Sequence, residues 1–195
     1  MGVAMARIFG KFVERQGPGG EYLKIGFSPN AIPIQQRWRN NGLSADFIAD
    51  YLSSFFPGED QASAARQAEI KGAVSYVANE LLENAMKFNY ALSKPAISIE
   101  MYLEVATIRL YVTNSVAPDA VLPFQHLIKR LLTEDPGDLY IERLTHNAEA
   151  GAEGDSGLGF LTMLNDYQAE LGWKFTPVES ETDLMLVTTM VRLTV

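Results

Sequence analysis

Glu80, Asn84 and Lys87 are the first residues in the sequence whose types and spacing could do chemistry. At the helical period they fall within an arc of about 60° over two turns, so a carboxylate, an amide and an ammonium leave one border of one helix. An amide oxygen and a carboxylate can share Mg²⁺ and orient a hydroxyl, while a nearby ammonium neutralises phosphate. The same spacing also describes a solvated stripe carrying a Glu/Lys pair. A second candidate is the run Gly154-Asp-Ser156-Gly157-Leu158-Gly159. Glycines let the backbone come close to phosphates, and a helix starting there would offer oriented N–H groups, although a short Gly-x-Gly is equally a flexible loop.

The first constellation needs a long helix. From Gln61 to Tyr90 there is no proline and one glycine among many Ala, Leu, Glu and Gln, which predicts a helix with Leu81, Ala85, Ala78 and Leu82 on its apolar face. After Ser93-Lys94-Pro95 the period changes to two. Ile97, Ile99, Met101 and Leu103, then Ile108, Leu110 and Val112, predict an antiparallel hairpin around Glu104-Val105-Ala106. Glu170 to Pro177 with Leu184 to Leu193 predicts a closing hairpin, and Gly159 to Tyr167 a helix before it. Val121 to Leu132 and Tyr140 to Asn147 read as helical pieces, separated by a turn at Asp135-Pro136-Gly137-Asp138 and followed by a flexible stretch to Gly154. At the start, Ala6 to Val13 and Tyr22 to Phe27 read as a hairpin around Gln16-Gly-Pro-Gly-Gly20. Asn41-Gly42 then punctuates the chain, Ser44 is placed as an N-cap, and a helix carries Phe47, Tyr51 and Phe55 until Pro57-Gly58. Strands joined by short turns and partly segregated from helices predict an α+β fold: a two-layer sandwich whose sheet is mixed, mostly antiparallel, with helices on one face.

Composition narrows the function. The chain has 195 residues, a formal charge of −8 and no cysteine, so one domain over 1–195 is expected, with neither disulfides nor thiolate chemistry. With His126 and His146 the only histidines, a histidine-rich metal site is excluded; both are read as lid, core or loop residues. A sequence pI near 4.8 argues against nucleic acid as a partner. Apolar runs fall short of the roughly 18 residues that span a membrane, and Met1 to Phe12 lacks signal-peptide design, so a cytoplasmic location is expected.

Asn79-Glu80-Leu81-Leu82-Glu83-Asn84-Ala85-Met86-Lys87-Phe88 resembles the N-box of the GHKL superfamily, the Bergerat-fold ATPases that include histidine kinases, gyrase B and anti-sigma-factor serine kinases. Gly154 to Met163 resembles that superfamily's G2 box, and the two stand in its order. The resemblance covers roughly Gln67 to Leu193, leaving Met1 to Gly58 outside the motifs. It implies that Glu80 activates a water or hydroxyl, that Asn84 holds Mg²⁺, and that Lys87, Ser156, Gly157, Leu158 and Gly159 surround the phosphates of ATP. Thr188 matches a base-contacting threonine, although a strand threonine is ordinary by propensity.

The G1 box departs from the pattern. Val112-Thr113-Asn114-Ser115-Val116-Ala117-Pro118 puts Asn114 where the family has an Asp for the adenine amino group, and the glycines are absent. An amide presents both donor and acceptor where a carboxylate only accepts. Asn114→Asp is therefore expected to tighten ATP if the pocket takes adenine, and to weaken a flavin if it has been repurposed. The chain looks closest to the anti-sigma-factor-type serine/threonine kinases, in particular SiaB-like members. That branch implies a small phosphoacceptor or STAS-type partner, a PP2C-type phosphatase in the same pathway, and a homodimer, for which Phe47, Tyr51, Phe55 and the N-terminal hairpin supply apolar surface. The alternatives are a catalytically inactive sensor binding FMN or FAD, and a nucleotide-free scaffold. Lys129, Arg130 and Arg143 could reach phosphates or simply be solvated; Trp38 and Trp173 read as packing, and Glu83 as a surface carboxylate.

Overall fold

The computed structural model describes residues 5–15, 20–28, 34–56, 58–90, 92–150, 158–178 and 184–195, with the backbone alone described over 34–39 and 148–150. The elements are β1 (Arg7–Gly10), β2 (Glu21–Phe27), α1 (Ile34–Ser53), α2 (Gln61–Lys87), β3 (Ile97–Glu104), β4 (Thr107–Val116), α3 (Pro118–Thr133), α4 (Pro136–Ala150), α5 (Gly159–Asn165), β5 (Glu170–Pro177) and β6 (Met185–Thr194). The strands form one sheet in the order β1-β5-β6-β4-β3-β2, and every described pairing is antiparallel. This is the α+β arrangement the sequence predicts, helices packed on a sheet.

Alternation decides which residues meet the helices. Ile108, Leu110, Val112 and Val116 of β4, Leu171, Trp173 and Phe175 of β5, and Val187 and Val191 of β6 are buried in one apolar cluster with Val74, Val77, Ala78, Leu81, Leu82 and Ala85 of α2. Ala45, Ile48, Ala49 and Leu52 of α1 extend the same cluster, and α3 adds Ile128 and Leu131. A capping box starts α2: Ser63 N donates to Asp60 Oδ1 at 2.8 Å and Asp60 N to Ser63 Oγ at 3.0 Å. Gln67 Nε2 donates to the Ser53 and Phe56 carbonyls at 2.9 and 2.6 Å, pinning the end of α1 to α2.

Three local readings are corrected. The N-terminal hairpin does not form: β1 pairs with β5 at one edge of the sheet and β2 with β3 at the other. Five inter-strand gaps span about 24 Å, and the ten residues between these strands reach over 30 Å when extended, so the link can cross the sheet. Its first part does so on the face away from the helices. Tyr111 Oη donates to the Val13 carbonyl at 2.9 Å, Phe12 meets Tyr111 edge-on with ring centres 6.0 Å apart, and Arg15 Nε reaches Glu100 Oε2 at 2.9 Å. Gly172 permits this crossing, because a Cβ there would overlap the Phe12 backbone.

The second correction concerns α1, which begins at Ile34 and runs through Asn41-Gly42. Ser44 is interior, its hydroxyl donating to the Asn40 carbonyl at 2.7 Å. An interior glycine costs about 1 kcal/mol, less than the packing of Ala45, Ile48, Ala49 and Leu52 against α2 returns. Third, Asp135 to Asp138 is the start of α4 and not a free turn. Asp135 Oδ1 accepts from Gly137 N at 2.9 Å and Asp138 N at 3.1 Å, with Pro136 in the first helical position.

Candidate functional site

Glu80 leaves α2 half-buried, and its carboxylate occupies the space that a Cβ on Gly159 would fill. Gly159 opens α5, so a residue of the first motif and a residue of the second lie against each other. Burial raises the proton affinity of Glu80 above that of an ordinary glutamate, and the Glu83 carboxylate one turn further adds to it. Asn79 Nδ2 donates to Glu83 Oε1 at 2.8 Å, which keeps Glu83 on the helix surface.

Asn84 is half-buried on the same border, and Lys87 closes the helix exposed, its ammonium 5.3 Å from the Phe88 ring centre. Among the described residues no group of three or more His, Asp, Glu or Cys side chains could hold a metal ion.

Asn114 sits on β4 opposite Val187, facing the helix layer, and is 8 % exposed. Its Nδ2 donates to the Ser115 carbonyl at 3.0 Å. One of the two amide N–H groups of Asn114 is thereby committed to the backbone. Thr188 is not brought to this face. It pairs with Thr113 on the opposite side of the sheet, their hydroxyls 2.9 Å apart, and Arg15 Nη2 donates to Thr113 at 3.1 Å. Thr189, opposite Val112 and Trp173, is the β6 threonine that faces the helices. Leu158 is half-buried and Gly159 buried, while Ser156 and Gly157 lie outside the described residues.

Sequence reasoning missed two groups of polar side chains. Asn89 Oδ1 accepts from Ser115 N at 3.2 Å and Ser115 Oγ at 2.9 Å, Tyr90 N donates to the Ser115 carbonyl at 3.0 Å, and the hydroxyls of Ser93 and Ser115 are hydrogen-bonded. The chain leaving α2 is thus clipped to the strand end that carries Asn114. The other group is Tyr76, Thr162 and Tyr167, where Tyr76 stands four residues before Glu80, a spacing visible in the sequence once Glu80 is singled out.

Of the remaining candidates, Arg130 is held by Glu134 and Glu142, with Nε to Glu134 Oε1 and Nη2 to Glu142 Oε2 both at 2.7 Å. His126, Lys129 and His146 are exposed, Arg143 is half-buried, and Trp173 is fully buried against Phe160. The side chain of Trp38 lies outside the described residues. No helix among the described residues is long and apolar enough to cross a membrane.

No protein-family model and no curated protein matches the chain. Among solved structures, a chain of the crystal structure of the SiaB-SiaC complex from Pseudomonas aeruginosa superposes with a TM-score of 0.54 at 15 % identity, covering 89 % of each chain. At that identity the likeness shows a shared fold.

Proposed function

We propose that this chain is a nucleotide-binding regulatory protein of a partner-switching module, a GHKL-type kinase that transfers a phosphoryl group from ATP to a serine or threonine hydroxyl of a small STAS-like partner. The observation that carries this reading is the apposition of Glu80 and Gly159, since two motifs more than seventy residues apart are useful to one ligand only if the fold joins them. The structural neighbour comes from a complex of two proteins, which supports a protein partner.

Mg²⁺-ATP would supply the transferable phosphoryl group and the charge neutralisation that such a transfer needs. The chain's own groups take the other roles. Glu80 accepts the proton of the partner's hydroxyl as its oxygen bonds to phosphorus and the bond to the ADP oxygen breaks. A carboxylate of raised proton affinity suits that task better than an exposed one. Asn84 would be the protein's oxygen ligand to the cation and Lys87 the neighbouring ammonium. Asn114 Oδ1 would accept from the exocyclic amine of adenine, with one amide N–H held by the Ser115 carbonyl.

Calorimetric titration with ATP and with FMN, each with and without Mg²⁺, tests the ligand. Mg²⁺-dependent ATP binding that Asn84→Ala removes is the expected result, and flavin binding alone overturns it. Transfer of labelled phosphate to a co-purified small protein, lost in Glu80→Gln with ATP affinity kept, tests the reaction. A PP2C-type phosphatase acting on that phosphoprotein belongs to the same proposal.

A further inference from the structure

We infer that Tyr76 is a positioning residue for Glu80: it ties α5 to α2 so that Gly159 stays closed over the Glu80 carboxylate. The inference rests on the reading of Glu80 as the proton acceptor, and it concerns what governs that group's environment.

Two contacts join these helices in opposite chain directions. Tyr76, earlier on α2, lies beside Thr162, later on α5; Glu80, later on α2, meets Gly159, earlier on α5. Four residues on α2 rise about 6 Å and three on α5 about 4.5 Å, so both contacts fit between two antiparallel helices only if α5 is held in one register. A third contact fixes that register. The Tyr76 ring stacks on Tyr167 with centroids 5.3 Å apart and planes 25° from parallel. Tyr167 is folded back by the turn after α5, where Ala169 N donates to the Met163 carbonyl at 3.0 Å and Gln168 takes a positive φ of 48°.

If α5 moved away, the carboxylate of Glu80 would gain water and lose the burial that raises its proton affinity. Glu83 on α2 is the charged group acting on Glu80, and Glu80 in turn acts on Tyr76, which also feels Tyr167 and Asp166 beyond the end of α5. Glu83 projects from Glu80's own helix and is unaffected by that movement, whereas the burial depends on α5.

The test is a carboxyl-carbon NMR titration of the full chain, with Glu80 assigned by comparison with Glu80→Gln. In the wild type, Glu80 is expected to titrate above the exposed glutamates. Tyr76→Ala should erase most of that displacement, and Tyr76→Phe, which keeps the stack, should restore much of it. Tyr167→Ala removes the ring on which Tyr76 stacks and is expected to lower the Glu80 midpoint; it serves as the deciding variant where Tyr76→Ala fails to fold. An unchanged Glu80 midpoint in folded Tyr76→Ala or in Tyr167→Ala overturns the inference, as does a wild-type Glu80 that titrates with the exposed glutamates. Titrations that move as stated while the wild type transfers no phosphate overturn the kinase reading and leave the positioning role standing.

Discussion

Glu80 on α2 and Gly159 on α5 are complementary in the narrow sense that the carboxylate of one fills the place of the side chain the other lacks. A Cβ on Gly159 would overlap Glu80 Oε2 and stand 3.1 Å from Cδ. Gly159→Ala should therefore push the carboxylate out or α5 back, at a cost of about 1–3 kcal/mol. Urea unfolding of Gly159→Ala, Glu80→Ala and the double variant measures this. The alanine should cost much less once Glu80 is shortened, and purely additive losses would contradict the contact.

The raised proton affinity of Glu80 has a stability consequence with a definite sign. The folded state binds this proton more tightly than the unfolded chain, whose glutamate titrates near 4.5. The contribution to stability is thus fully present below that value and is lost as pH rises through the folded midpoint. Glu80→Gln should flatten the decline between acid and neutral pH and leave the chain more stable than wild type near pH 7. Thermal melts of both proteins across that range check it; parallel curves would show that Glu80 titrates normally.

Asn114→Asp acquires a sign opposite to the one expected from the family pattern. Read from the sequence, it restores an acceptor-only group and tightens ATP. In the fold it replaces the Nδ2 donor to the Ser115 carbonyl with a carboxylate oxygen, at a buried position. Two acceptors then face each other, at a cost of about 1–3 kcal/mol for the unsatisfied group. Lower thermal stability and weaker ATP affinity are expected, both by calorimetry, and tighter binding would contradict the hydrogen bond.

The link that crosses the sheet is anchored on Glu100, which is 5 % exposed and shared by Arg15 Nε at 2.9 Å and Lys24 Nζ at 3.0 Å. Arg15 also lies over the Tyr111 ring, 5.4 Å from its centre. Arg15→Ala should destabilise by about 1–3 kcal/mol, because it leaves a buried carboxylate to Lys24 and the Tyr102 hydroxyl alone. Limited proteolysis should then cut first between residues 11 and 15. Unchanged stability and unchanged cleavage would show that the crossing carries no load.

A homodimer is proposed through an apolar surface on α1 and the turn that follows it, where Phe47 is 54 % and Phe55 38 % exposed and Tyr51 meets Phe55 edge-on at 5.4 Å. The hairpin expected to share this role does not exist. Light scattering at micromolar concentration should give twice the chain mass, and Phe47→Asp should give one; a monomeric wild type would refute the dimer.

Some of this was determined by the sequence alone. The helix over Gln61–Lys87, the β3-β4 and β5-β6 hairpins, and the shared border of Glu80, Asn84 and Lys87 follow from propensity, period and short turns, all of which act between residues close in the chain. Other features were decided only by tertiary contacts. The period-2 pattern of β1 and β2 is real, yet it cannot say which partner strand each will find, and packing on Tyr111, Glu100 and Gly172 sent them to opposite edges. Thr188 and Thr189 are indistinguishable by type; only the register of β6 against β4 turns the second toward the helices and the first toward Thr113. Gly42 inside α1 is outweighed by the buried face around it. Glu80 could be singled out from its neighbours on α2, but not its packing against α5, because the Gly159 that meets it lies 79 residues further on and is brought there by contacts between helices.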